Sequence, residues 1–437
     1  MRAMRPTPRF PNRRQVIAAV AGTTVLAGCA DLGEDRTKAR VRLVNAADAT
    51  GYPALDMRVE TGVLQGNVAY GQNGAYSEVA PDDTQNSTIT NAGSPSALVT
   101  FSPTLTRDKH YSVLAYGGTG ALRHLVIEET VAEPAVNHTS LRIFNAAPDA
   151  GNLDVYITAD SDALTTAVPA LAAAKYGELS AVLDLASGTW RVRVAAAGSK
   201  VDLRLNVPAV AFGNRQALTL VLTPSSGGTL VNALLLVQSG ALTRLDNVHA
   251  RVRVAPGVTN NGAVTVVQGT AALATNLSWP AVGAYALVPA GAAAFNISVD
   301  GNSVGAPAGT LAAGGDYTLL VYGLAASAQA ALIADNNRLP TTAGEGLVRL
   351  VNGVAGLASP LSMSFDSVSV ASSVAAGAAS TPYVGITDTT TGVITVTSPG
   401  AGSVFTATAR TVRTGRVYTV FVIGAAGAVE GALVQDR

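Results

Sequence analysis

The sequence is short of the residues on which several common chemistries depend. It has one cysteine, so an intrachain disulfide is excluded. That cysteine, Cys29, lies ahead of every strand-like segment, which is the wrong place for a catalytic thiol. The four histidines (110, 124, 138 and 249) form no H-x-x-x-H pair and none lies beside the cysteine, so a zinc site has no ligand set. His138 and His249 read as linker residues and His110 as part of a turn. There is no G-x-S-x-G, G-K-[ST] or S-x-x-K motif, so the chain is not expected to be an enzyme, and no cofactor is implied. Charged residues make up only 13% and aromatics 5%, yet hydrophobic residues reach 48%, too many for a disordered chain. Beyond the first residues no apolar run reaches the ~18 residues of a membrane-spanning helix. The core must therefore be built from Ala, Val, Leu, Thr and Gly rather than from rings.

Net charge is zero but unevenly placed: residues 1–28 hold five arginines (2, 5, 9, 13 and 14) and no acid, leaving the remainder near −5. That balance offers no basic surface, and nucleic acid is not an expected partner. Arg13 and Arg14 close a basic segment, Val16 to Ala27 is a short apolar stretch, and Leu26-Ala27-Gly28-Cys29 follows. This is the order of a secretory signal. Its last four residues resemble the lipobox of bacterial lipoproteins. The resemblance implies cleavage between Gly28 and Cys29, diacylglycerol on the Cys29 thiol, and attachment to a membrane through that lipid. Each buried CH₂ contributes about 0.8 kcal/mol, so two or three acyl chains hold where one is marginal. Ala30 follows the cysteine and Asp31 comes one place later, which by resemblance to enterobacterial sorting favours the outer over the inner membrane, on its periplasmic or surface face. Arg13-Arg14 also resembles part of a twin-arginine export signal, with Val16 and Ile17 where Phe-Leu is usual. Residues 29–39 read as a lipidated tether, its ten residues after the cysteine reaching at most roughly 35 Å when extended.

The rest of the chain repeats. A strand-like opening recurs as Arg40-Val-Arg-Leu-Val-Asn-Ala-Ala47, Ser140-Leu-Arg-Ile-Phe-Asn-Ala-Ala147, Ala250-Arg-Val-Arg-Val-Ala-Pro256 and Leu347-Val-Arg-Leu-Val-Asn-Gly353. A second strand follows about 70 residues on in three of them: Tyr111 to Gly117, Tyr317 to Gly323 and Tyr418 to Gly424, with Ala217 to Thr223 in the remaining unit. Alternation at period two between turn residues predicts strands and hairpins. The expected fold is all-β: four tandem immunoglobulin-like β-sandwich units, 40–134, 140–246, 250–339 and 346–437, after a lipoprotein signal peptide over 1–28. Linkers are expected near 130–139, 241–249 and 335–346, and a helical turn within the Ala-rich 164–176. Each unit should be a bead with its own core, the four forming a semi-rigid rod.

Leu141 to Asp149, Leu153-Asp-Val-Tyr156, Lys175-Tyr-Gly177 and Leu185 to Thr189 together resemble the DUF4397 family of extracytoplasmic proteins. The first unit keeps Asn45 to Asp48, Leu55-Asp56 and Tyr70-Gly71, and the last two keep mainly the strand frame. The resemblance implies a β-sandwich and export, and no established activity.

Asn45, Asn145 and Asn352 end their opening strands, either as a polar site at a tip or as turn formers that bond their own backbone. Asp48, Asp149 and Asp154 either supply oxygen ligands for Ca²⁺, without the spacing of a calcium loop, or serve as turn formers like the asparagines. Asn45, Asp48, Asn145, Asp149 and Asp154 are thus the weak candidate loop sites, and Asp82-Asp83 is a further loose acidic pair. Trp190, in an alternating strand, suits the core; Trp279, before Pro280, suits a surface role such as stacking on a sugar. Tyr111, Tyr317 and Tyr418 suit buried rings with hydroxyls at the sandwich edge. The leading reading is a non-catalytic envelope lipoprotein with an adhesion, scaffolding or envelope-contact role, its partner an envelope protein or polysaccharide. The alternative is a polysaccharide- or peptidoglycan-binding module using loops between strands.

Overall fold

Period-two alternation is visible in strands such as Phe295–Val299, where buried and more exposed positions alternate. The computed structural model describes residues 35–81 and 86–437. Arg13, Arg14, Gly28, Cys29 and the pair Asp82-Asp83 lie outside the described residues. In the first unit eight strands follow one another: β1 (Ala39–Ala47), β2 (Ala54–Val59), β3 (Gly62–Ala69), β4 (Ser77–Val79), β5 (Ser87–Asn91), β6 (Ala97–Phe101), β7 (His110–Gly117) and β8 (Arg123–Glu128). They form two sheets, β4-β1-β7-β8 and β3-β2-β5-β6.

The four expected sandwiches are present, and the same order underlies each. The opening strand is central and runs parallel to a late one, the penultimate strand in three units and the third from last in the second: β1 to β7, His138–Asn145 to Gln216–Pro224, His249–Val258 to Asp316–Gly323, and Glu345–Ala355 to Val417–Ala425. This is not the ABED–CFG order of an immunoglobulin constant domain, in which the first strand lies at an edge. Two local expectations change. Leu242–Leu245, placed in a linker by the sequence, adds a fifth strand to the second unit's sheet. Leu171–Ala174 is an edge strand, and the segment before it turns without a helix. The helical content of the described residues is two 3₁₀ turns, Thr259–Asn261 and Ala325–Ser327, and no helix there is long and apolar enough to cross a membrane.

Each sandwich has its own core, centred on Leu43, Leu55 and Val113 in the first unit, Ile143, Val155 and Leu220 in the second, Val254, Val266 and Leu319 in the third, and Leu350, Phe365 and Val420 in the fourth. Two further cores lie between units. Val44, Ala46, Leu114 and Tyr116 of the first unit pack on Phe144, Ala146, Val221, Leu234 and Leu236 of the second. Ala255, Trp279, Leu320 and Ile333 of the third pack on Val351, Phe421 and Ile423 of the fourth. The beads are therefore joined face to face as two pairs, and Thr37–Arg437 coheres as one compact unit. The cause lies in β1, all nine residues of which are buried. Val41, Leu43 and Ala47 face its own second sheet, while Val44 and Ala46 face the neighbouring unit. A strand apolar on both faces needs cover on both.

Candidate functional site

Within the paired faces one polar constellation is repeated. Each opening strand places an arginine beside a hydroxyl on its parallel neighbour: Arg42 with Ser112, Arg142 with Thr219, Arg253 with Thr318, Arg349 with Thr419. Three units add an acid at or just beyond the end of the strand that follows that neighbour, Glu129, Asp335 and Asp436; the second unit has Gln238 there.

In the second pair the acids are exchanged. Arg253 of the third unit donates to Asp436 of the fourth at 2.7 Å, and Arg349 of the fourth donates to Asp335 of the third. Their Nε atoms donate to Thr318 and Thr419 at 2.9 and 3.0 Å. Those hydroxyls in turn donate to Asp335 and Asp436 at 2.6 and 2.5 Å. Each guanidinium also stacks on a ring, Arg253 over Tyr285 and Arg349 over Tyr383, both at 4.8 Å. Burial alone would raise Asp335, but the charges of Arg349 and Arg253, with hydrogen bonds from Thr318 and Tyr285, hold it below the usual carboxylate range.

The first pair uses the same parts unevenly. Arg42 donates to Ser112 and Glu129, both at 2.8 Å, and crosses to the second unit through the carbonyls of Gly240 (2.5 Å) and Val237 (3.1 Å). Glu129 also accepts from Tyr76 at 2.6 Å and from the amide of Ser239 at 2.6 Å. Against the effect of burial, a hydrogen bond from Ser112 (2.5 Å), together with these bonds and Arg42, lowers its pKa. Gln238 instead brackets Val131, accepting from its amide and donating to its carbonyl at 3.1 and 2.8 Å. Arg142, with no acid of its own unit, has a buried Nε without a partner, and burial lowers its pKa.

Two of the candidate loop acids meet at the joint between the pairs. Asp48 takes a bidentate pair from Arg338 at 2.6 and 3.0 Å and a hydrogen bond from Thr119 at 2.7 Å. Asp149 accepts from the amide of Leu339 at 2.9 Å. Burial would raise Asp48, but the Arg338 and Thr119 bonds outweigh it and lower its pKa; at Asp149 burial prevails and the pKa is raised. Arg437 donates to the carbonyls of Asn337 and Gly228 at 2.9 and 3.2 Å, and burial pushes it down to about 10. Gly228 is required here: its φ is +85°, and a Cβ would lie 2.8 Å from the Arg338 backbone nitrogen. The segment near 335–346 is thus partly a clasp rather than a free linker.

The remaining candidates are internal fixtures. Asn45 donates to the carbonyls of Tyr52 and Val68, and Asn145 to those of Gly151 and Ala174, each accepting from the amide two residues on. Asn352 does the same with Val374 and Val354. Asp154 accepts from the amides of Ala173 and Gly198, tying two neighbouring connections to its strand, and Asp56 does so in the first unit with Asn67 and Gly93. All of these side chains are buried, so the structure brings Asp48 and Asp149 to one joint and leaves Asn45, Asn145 and Asp154 apart, inside their own units. Among the described residues no group of three or more His, Cys, Asp or Glu side chains is placed to hold a metal.

Other expectations shift too. His110, His138 and His249 begin strands instead of lying in turns or linkers, and His124 stacks on Phe101 at 4.2 Å. Trp190 is half-buried against the second core and donates to the Ala186 carbonyl. Trp279 is buried between the third and fourth units, away from any surface role. Tyr111, Tyr317 and Tyr418 each accept, through the hydroxyl, from the amide five residues upstream, at 3.0, 2.8 and 3.0 Å. The sequence reading missed the arginine constellation, although the arginine stands in all four quoted openings; it also missed Arg338, which no repeat marks.

Among curated proteins no match was found. One solved structure, described as the Bacillus anthracis TIE protein, aligns at 10% identity over 84% of this chain and 66% of that one, with a TM-score of 0.15. A family model described as a domain of unknown function, DUF4397, matches residues 39–156 and 250–358. Each stretch begins at the first member of a pair and runs into the opening strands of the second, so Arg42 and Arg142 fall in one and Arg253 and Arg349 in the other. The motifs at 141–149 and 153–156 lie inside the first stretch, and the rest of the second unit lies outside it. With more than half of its length matched by that model, the chain belongs to the DUF4397 family.

Proposed function

We propose that this chain is an exported envelope protein, anchored through lipid on Cys29, whose four sandwiches form a fixed, non-catalytic scaffold for contact with another envelope component. The observation that carries the reading is what the buried charge does. Arg42, Arg253 and Arg349 and their acids lock sandwich to sandwich, and Arg338 with Asp48 locks pair to pair. Buried ion pairs of this kind fix arrangement more than they add net stability. Asp48 and Asp149, two of the weak candidate loop sites, serve the joint. Trp279, the aromatic most open to a sugar-binding role, is enclosed, which weighs against the polysaccharide reading.

Membrane fractionation tests the anchor. The wild-type chain should pellet with membranes and leave them only in detergent, while Cys29→Ser should appear in the soluble fraction. A Cys29→Ser protein that still pellets would remove the lipid anchor from this reading.

A further inference from the structure

The two pairs are built alike but differ at the ends where their opening strands finish. In the first pair the notch between the loop after β1 and the turn following Gln216–Pro224 is filled. Arg338 lies there, gripped by Asp48 on one wall and packed against Gly228 on the other. The parallel registers place Thr259 where Asp48 stands, since Ala47 pairs with Gly117 and Val258 with Gly323. In the second pair the corresponding notch is an open cleft of about 320 Å³. One wall holds Val258, Thr259, Asn260, Asn261 and Leu324, and the other runs from Ile423 to Glu430.

We propose that this cleft docks an extended peptide segment of a partner protein carrying an arginine or lysine. The filled notch shows what such a cleft accepts: a non-helical stretch whose cationic side chain is held by a carboxylate. The open one offers the same parts rearranged. Glu430 supplies the carboxylate from the opposite wall, in place of Asp48. Val258 and Ile423 form an apolar floor, and Leu324, 51% exposed, forms a rim. Asn260 and Asn261, both exposed and at φ of +58° and +53°, present amide donors and acceptors to a peptide backbone. Arginine is the better cation, because its planar fork binds a carboxylate through two parallel hydrogen bonds, as Arg338 does on Asp48. The inference concerns the folded chain in solution and is independent of the lipid anchor.

The test uses the purified full chain and a fluorescein-labelled synthetic peptide, Asn-Asn-Arg-Leu-Pro-Thr, the segment beginning at Asn336 that contains the occupant of the first notch. Anisotropy should show saturable binding. Binding should weaken by about tenfold or more with Glu430→Lys in the protein, and likewise with a peptide carrying Arg338→Glu, as expected when an attractive charge pair is turned into like-charge repulsion. Asp48→Asn should leave the added peptide's affinity unchanged. Three results would each overturn the proposal: no saturable binding, equal binding by the Arg338→Glu peptide, or binding that survives Glu430→Lys but changes with Asp48→Asn. Unchanged circular dichroism and melting of the Glu430→Lys protein would show that its fold is intact.

Discussion

Charge removed from water sets the behaviour of single residues in this chain. Asp335 is the clearest case, with a fully enclosed carboxylate answered by two guanidinium groups, Arg349 and Arg253. Replacing it with alanine leaves a buried positive charge without its counter-ion, a change that destabilises by about 3–5 kcal/mol. Urea titration of Asp335→Ala should show that loss in the second pair, and a change under 1 kcal/mol would mean the cluster is solvated. The histidines supply a pH dependence whose sign follows from burial. Burial holds both His124 and His249 below the ordinary value of 6.5, so the fold prefers the neutral ring. The unfolded chain takes up those protons first. Stability is therefore complete above about pH 6.5 and declines as pH falls from there through the lower folded values. The wild-type chain should lose more stability between pH 7.5 and 5.5 than the double variant His124→Gln/His249→Gln. Equal losses would show that the two rings titrate as they do in the unfolded chain.

At the level of strands and turns, much of the fold can be read from the sequence because its devices repeat. The tyrosine at the second position of the penultimate strand bonds the amide five residues upstream in three units, and the second unit has Leu218 at that register. Tyr418→Phe should therefore lower the stability of the fourth unit by about 1 kcal/mol, the net worth of one such bond, without changing its fold. Calorimetry decides it, and an unchanged transition would mean the Arg413 amide finds water instead. Asn45 and Asp154 were legible as turn formers, since short polar side chains compete for nearby backbone groups. What they were not legible as is interior: burial at a strand end depends on what lies across the sheet. Pairing of the sandwiches was written in Val44, Ala46, Leu114 and Tyr116, which make both faces of their strands apolar. Alternation alone assigns one face to the core and the other to water, so that signal was lost under the assumption of separate beads. Arg338 was illegible for a different reason. It has no counterpart in the other units, and its partner Asp48 lies 290 residues away.

Over the whole molecule, the hierarchy is sandwich, pair, and joined pairs, and each level is held by a different force. Sandwiches close around aliphatic cores, pairs add a second apolar face ringed by arginine networks, and the joint rests on Arg338, Leu339 and Arg437. The joint should therefore yield first. Arg338→Ala should raise the radius of gyration seen by small-angle scattering while leaving the melting of each pair in place, and an unaltered scattering profile would show that backbone contacts such as Gly227 with Gly314 suffice. The pairs should not yield in that way. A fragment covering 37–247 or 249–437 keeps its inter-unit face covered and should sediment as a folded monomer. A fragment of 138–247 keeps its own core but exposes Phe144, Val221, Leu234 and Leu236 together, a patch that soluble monomers rarely leave open. It should fold and self-associate through that face, and Phe144→Glu should return it to a monomer. Sedimentation of the four species gives the decision: a monomeric 138–247 beside a self-associating 37–247 would show that the sandwiches are independent beads after all.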